Sequence, residues 1–165
     1  MSQQRPSGFT LVELLVVTAI VGVIAAIATP LLLAARASGN EASAIGSIRA
    51  INSAQTTYAA VCGGGRYSAS LNTLVAEEFL SPDMGFNPKA GYNFALAVGL
   101  AAVAGPNDCV GDVTYTDFYA SGVPISANSG TRGFAMNAAG TVWQDASGAA
   151  PTEPFAAAGT VSTIQ

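Results

Sequence analysis

The chain has 165 residues, of which 50% are hydrophobic and only 10% charged, against about 25% charged in an ordinary soluble domain. Its six basic residues are scattered and outnumbered by ten acidic ones, for a net charge of −4, which excludes the clustered Lys and Arg of a nucleic-acid footprint. There is no histidine, so the commonest general base and the commonest metal ligand are both missing.

The first element is the most apolar. From Leu14 to Ala35 there are 22 residues without a charge, where roughly 20 suffice to span a bilayer as a helix. A secretory signal peptide would have a shorter apolar core. A buried core helix would need more chain around it than remains here. A helix that stays in the membrane is the best physical reading. Its orientation stays open, because Arg5 lies on one side and Arg36 and Arg49 on the other, too few charges for the positive-inside rule. Two features disturb it: Glu13, an acid near the start, and the weak points Gly22 and Pro30, which predict a kink.

Gly8-Phe9-Thr10-Leu11-Val12-Glu13, ahead of this apolar run and behind a short hydrophilic leader with Arg5, resembles the prepilin signature of type IV pilins and type II secretion pseudopilins. Pro30 sits where type IV pilins often have a proline. The resemblance covers Met1 to about Cys62 and implies cleavage after Gly8 by a prepilin peptidase and N-methylation of Phe9. It further implies an assembly role for Glu13, with the leader in the cytoplasm and the C-terminal domain in the periplasm.

Beyond Ala35 the helix is expected to continue through a soft spot at Ser38-Gly39-Asn40. Ile48, Ile51, Tyr58 and Cys62, with Ala44 and Gln55, then form one amphipathic stripe. Cys62-Gly63-Gly64-Gly65 ends it, since glycine accepts the left-handed closure of a helix C-terminus. A phosphate loop is excluded there, because no strand precedes the glycines and no Lys-Ser/Thr follows. Ser70 caps a short helix with Leu71, Leu74, Val75 and Phe79 on one face, stopped by Ser81-Pro82.

The remainder reads as strands. Tyr92 to Val98 alternates, Val113 to Ala120 is rich in Val, Thr, Tyr and Phe, and Asn137 to Gly140 forms a hairpin loop. Gly99 to Asp112 reads as a loop, and Pro151 to Gln165 as a covering strand or a loose tail. The fold class is α+β: a long N-terminal helix packed on a small antiparallel sheet, pilin-like. Four regions result: the leader 1–8, a membrane and filament-core helix 9–35, its amphipathic continuation 36–62, and a periplasmic domain 63–165.

Two cysteines remain. In an exported domain, Cys62 and Cys109 are expected to pair, the alternative being two buried thiols; pilins often carry their bridge nearer the C-terminus. The acids Glu77, Glu78, Asp83, Asp108, Asp112, Asp117, Asp145 and Glu153 show no spacing that compels acid–base catalysis, and Glu77-Glu78 reads as a solvated helix face. Asp108 and Asp112 could serve Ca²⁺, against an ordinary reading as loop acids.

The expected function is a structural subunit of a type IV pilus or similar filament, without catalytic residues, metal or cofactor. The alternative is a type II secretion pseudopilin; a membrane-tethered binding domain or enzyme is a third class. The implied partners are other pilins, the prepilin peptidase, an inner-membrane assembly platform and the inner membrane, but no nucleic acid.

Overall fold

The computed structural model of the chain describes residues 9–164. These fall into two units, one ending at Ala35 and the other beginning at Arg36. One helix, α1 (Leu11–Val61), supplies the regular structure of the first unit and the first element of the second.

In the first unit every Val, Leu and Ile from Leu11 to Leu33 is between 45% and 79% exposed, so no side of the helix is covered. A helix apolar all round has no face suited to water, and this one is long and apolar enough to cross a membrane. The helical backbone continues through both expected weak points, Gly22 and Pro30. Its hydroxyls are satisfied within the helix: Thr18 Oγ1 donates to the Leu15 carbonyl at 3.0 Å and Thr29 Oγ1 to the Ala25 carbonyl at 2.7 Å.

In the second unit α1 buries one stripe containing Ala44, Ile48, Ile51, Gln55 and Tyr58, as the spacing predicts, together with Glu41, Ser47 and Ala54. The helix also runs unbroken through Ser38-Gly39-Asn40, and Asn40 Nδ2 donates to the Ser129 carbonyl at 2.9 Å. At its C-terminus Gly64 and Gly65 take φ values of +58° and +84°, and the Gly65 N–H donates to the Ala59 carbonyl at 2.7 Å. The short helix α2 (Leu71–Ala76) has Ser70 as its cap, accepting from the Thr73 N–H. It stops one residue before Glu77, so Glu77 and Glu78 are not the helix face expected: Glu77 is the C-cap and Glu78 has φ +59°.

The main sheet is antiparallel, in the order β1 (Tyr92–Val98), β4 (Phe118–Pro124), β5 (Gly133–Asn137), β6 (Trp143–Asp145) and β7 (Val161–Thr163). The hairpin loop from Asn137 falls between β5 and β6 as expected, and the C-terminal tail supplies the edge strand β7.

Two expectations are corrected. Gly99 to Asp112 is not only loop, because β2 (Ala104–Asn107) lies within it and pairs with β3 (Val113–Tyr115). Val113 to Ala120 is not one strand: the chain leaves the two-stranded sheet at Tyr115, which exchanges backbone bonds with Tyr67, and enters the main sheet at Phe118. Asp117 marks the break by accepting the N–H groups of Phe118 (2.8 Å) and Ala138 (3.0 Å).

Ile48, Ile51 and Tyr58 of α1 pack with Tyr92, Phe94, Phe118, Phe134 and Met136 of the sheet into one core, closed by Leu74, Leu80 and Met84. Gly122 permits this approach: a Cβ there would meet the Phe94 ring at 2.9 Å and Ile48 Cδ1 at 3.6 Å. Polar locks set the register. Gln55 holds the Ser68 backbone with bonds of 2.6 and 3.0 Å. Glu41 accepts from the Thr131 N–H and hydroxyl at 2.8 and 3.0 Å and forms an ion pair of 2.6 Å with Arg132. Arg132 passes the connection to Gln144 (2.7 Å), and Gln144 to Ser162 (3.1 Å). The disulfide Cys62–Cys109, with Cα atoms 5.1 Å apart, ties the end of α1 to the loop between β2 and β3.

Burial pushes the Glu41 carboxyl up, but the donors from Thr131 and Arg132 outweigh it and hold the group below the ordinary value of 4.5. Its stabilisation is therefore complete above that value and is lost as pH falls through the lowered one. Glu41→Gln is expected to cost about 1–3 kcal/mol at pH 7, and its stability should fall less steeply with acid than the wild type's when urea unfolding is followed at several pH values. Replacing both cysteines with alanine opens a 47-residue link and should cost up to about 4 kcal/mol, read as a lower urea midpoint.

Candidate functional site

The signature residues come together at the start of α1. Phe9 precedes the helix and is 82% exposed; Gly8 lies outside the described residues. Thr10 and Glu13 form a reciprocal cap. The Glu13 N–H donates to Thr10 Oγ1 at 3.2 Å, while Glu13 Oε2 accepts from the Thr10 N–H at 2.9 Å and its hydroxyl at 2.6 Å. This is a capping box, which satisfies orphan donors of a first helical turn and favours an acid at its positive end. Both donors go to Oε2. Sequence reasoning passed over Thr10, although Thr-x-x-Glu ahead of an apolar run is itself the signal for such a cap.

An acid close to the end of a membrane span costs less than one at its centre. The Thr10 donors reduce the cost further by replacing water on one carboxylate oxygen. The Glu13 side chain remains exposed and can accept a partner.

The other candidates serve the domain's architecture. The Tyr58 hydroxyl donates to Asp108 Oδ2, and Asp108 Oδ1 accepts from the N–H groups of Val110, Gly111 and Asp112 at 2.9, 2.8 and 2.8 Å. Burial opposes ionisation of Asp108, but these donors hold its carboxyl below the usual range. Burial first, then the Asp108 carboxylate, pushes the Tyr58 hydroxyl up. Asp112 accepts from the Thr73 hydroxyl at 3.0 Å. Asp108 is thus committed to its own turn, and the described residues bring together no group of three His, Cys, Asp or Glu side chains that could hold a metal. Asp117 and Glu153 line one cavity with Trp143 and Phe155, which spacing along the chain did not suggest.

Residues 4–29 match the prokaryotic N-terminal methylation motif. Over 136 residues the chain is 32% identical to the type IV major pilin protein PilA of Myxococcus xanthus (strain DK1622), an alignment covering 82% of this chain and 54% of the relative. The chain thus spans about half the length of the curated relative it matches. No solved structure matches it. The chain thus carries the N-terminal methylation motif and is similar over most of its length to a type IV major pilin.

Proposed function

We propose that the chain is a structural subunit of a type IV pilus, anchored in the inner membrane before assembly with its C-terminal domain in the periplasm. The carrying observation is an N-terminal motif, Phe9 to Glu13, opening a helix whose apolar surface is uncovered on all sides. Lipid covers that surface in the free subunit, and neighbouring helices replace lipid in the filament. A pseudopilin of a type II secretion apparatus would share the same motif; the similarity to a major pilin favours the pilus.

Cleavage after Gly8 by a prepilin peptidase frees the amine of Phe9, and methylation leaves it able to carry charge. Inside a packed filament an unpaired Glu13 carboxylate costs more than in the open helix, because water no longer reaches it. Leu14 to Ala35 supplies no cation. The Phe9 amine of the neighbouring subunit is the cation at that depth, and pairing it with Glu13 sets the axial register as chains leave the assembly platform. Pro30, without an N–H for the Ala26 carbonyl, is the place where the helix yields if packing demands it.

Mass spectrometry of the native protein is expected to show an N-terminus at Phe9 carrying one extra methyl group. An intact Met1, or a terminus beyond Ala35, contradicts the reading. Glu13→Ala is expected to leave cleavage and membrane insertion intact while lowering recovery in sheared filaments at least tenfold, since breaking a buried charge pair costs about 3–5 kcal/mol. Incorporation of Glu13→Ala chains at the wild-type level would remove Glu13 from assembly.

A further inference from the structure

The sheet has a second face. Phe118, Ala120, Phe134 and Met136 are buried on the α1 side, so the alternate residues Tyr119, Asn137 and Trp143 stand on the other. There the segment after Pro151 crosses the strands. The Tyr119 hydroxyl donates to the Pro151 carbonyl at 2.6 Å, and Phe155 stacks between Tyr119 and Trp143, with centroids 6.1 and 5.6 Å away. Beside this ladder lies a cavity of about 390 Å³, bounded by Trp143, Phe155, Asp117, Asn137, Thr141 and Glu153. That volume is in the range of small-ligand sites.

The polarity of the lining is one-sided. Glu153 Oε2 accepts from the Leu100 N–H and Oε1 from Asn137 Nδ2, both at 2.7 Å. Asp117 Oδ1 accepts from two backbone N–H groups. Most donors around the cavity are therefore already directed at its carboxylates, and what remains is acceptor capacity. Among the lining side chains the Thr141 hydroxyl, the Trp143 indole N–H and the second Asn137 amide hydrogen are without an acceptor among the described residues. Among the described residues the ion pairs are Asp83–Lys89 and Glu41–Arg132, so neither Asp117 nor Glu153 faces a cation of the chain. A neutral polyol would bring acceptors with few donors to meet them. An ammonium group has three donors and no acceptor, and aromatic faces attract it.

We propose that this cavity binds a small organic ammonium ion, held through its N–H groups by Asp117 and Glu153 and through its apolar body by Trp143 and Phe155. The carboxylates are kept in position by the backbone and amide donors described above, so the site is preformed. The proposal rests on the folded domain alone and is independent of filament assembly.

Trp143 is the sole tryptophan, so its fluorescence reports on this cavity. The full chain in nonionic detergent is titrated with benzylammonium, with its neutral counterpart benzyl alcohol, and with glucose. Benzylammonium is expected to give a saturable change that neither neutral compound gives. Asp117→Asn and Glu153→Gln are each expected to weaken it about tenfold, with circular dichroism unchanged. Should either variant unfold, salt decides on the wild type: affinity should fall steadily as ionic strength rises. No saturable response to benzylammonium, equal binding of a neutral compound, undiminished binding by the folded variants, or an affinity indifferent to salt would each overturn the site.

Discussion

One helix has to meet two media, and its side chains alone make the change. The α-helical backbone satisfies its own hydrogen bonds, so α1 can pass from residues suited to lipid to residues suited to a water-facing domain without altering its geometry. Up to Ala35 its surface is apolar on every side; from Glu41 onward one stripe is buried and most of the rest is polar or small, Val61 excepted. The sheet, the disulfide and the polar locks of the second unit all serve to cover that stripe.

The two acids of α1 show how each half handles charge. Glu13 is held by Thr10 from its own turn, a purely local arrangement that needs no tertiary structure. Glu41 instead draws donors from Thr131 and Arg132, about ninety positions along the chain, and so joins the helix to the turn before β5. A buried charge with this many donors fixes register more than it adds net stability, because desolvation offsets much of the attraction. Gln55 does the same for the chain emerging from the helix, where both its amide groups bind the Ser68 backbone.

The long-range features were the hard part to read from residues alone. The apolar run, the stripe through Ile48, Ile51 and Tyr58, the Ser70 cap and strand β1 are all local patterns, and the structure contains each of them. The break at Thr116-Asp117 was not legible, since Val, Thr, Tyr and Phe continue across it; the backbone bonds of Tyr115 to Tyr67 divide what propensity joins. Strand β2 carries Gly105 and Pro106, which argue against a strand, and it exists because β3 and the disulfide hold it in place. Glu41 has no mark in the sequence beyond lying three residues before Ala44. The N-terminal methylation motif was legible through its spacing, but Thr10 entered only as a letter of it, and its bonds give it a physical role.

That role answers why a membrane helix tolerates an acid at its fifth residue after the glycine. Both Thr10 donors converge on Oε2 of Glu13, while Oε1 takes no hydrogen bond among the described residues. The arrangement is half-satisfied. One oxygen has its donors inside the turn, so the carboxylate does not depend on water for all of its stabilisation when the turn enters a less polar medium. The other oxygen keeps its lone pairs open to a donor from outside the turn. A fully unsatisfied acid would be costly at the membrane, and a fully satisfied one would have little to gain from a partner. The same logic extends to the choice of threonine as the cap residue: its hydroxyl serves the helix by accepting from the Glu13 N–H and the acid by donating to Oε2.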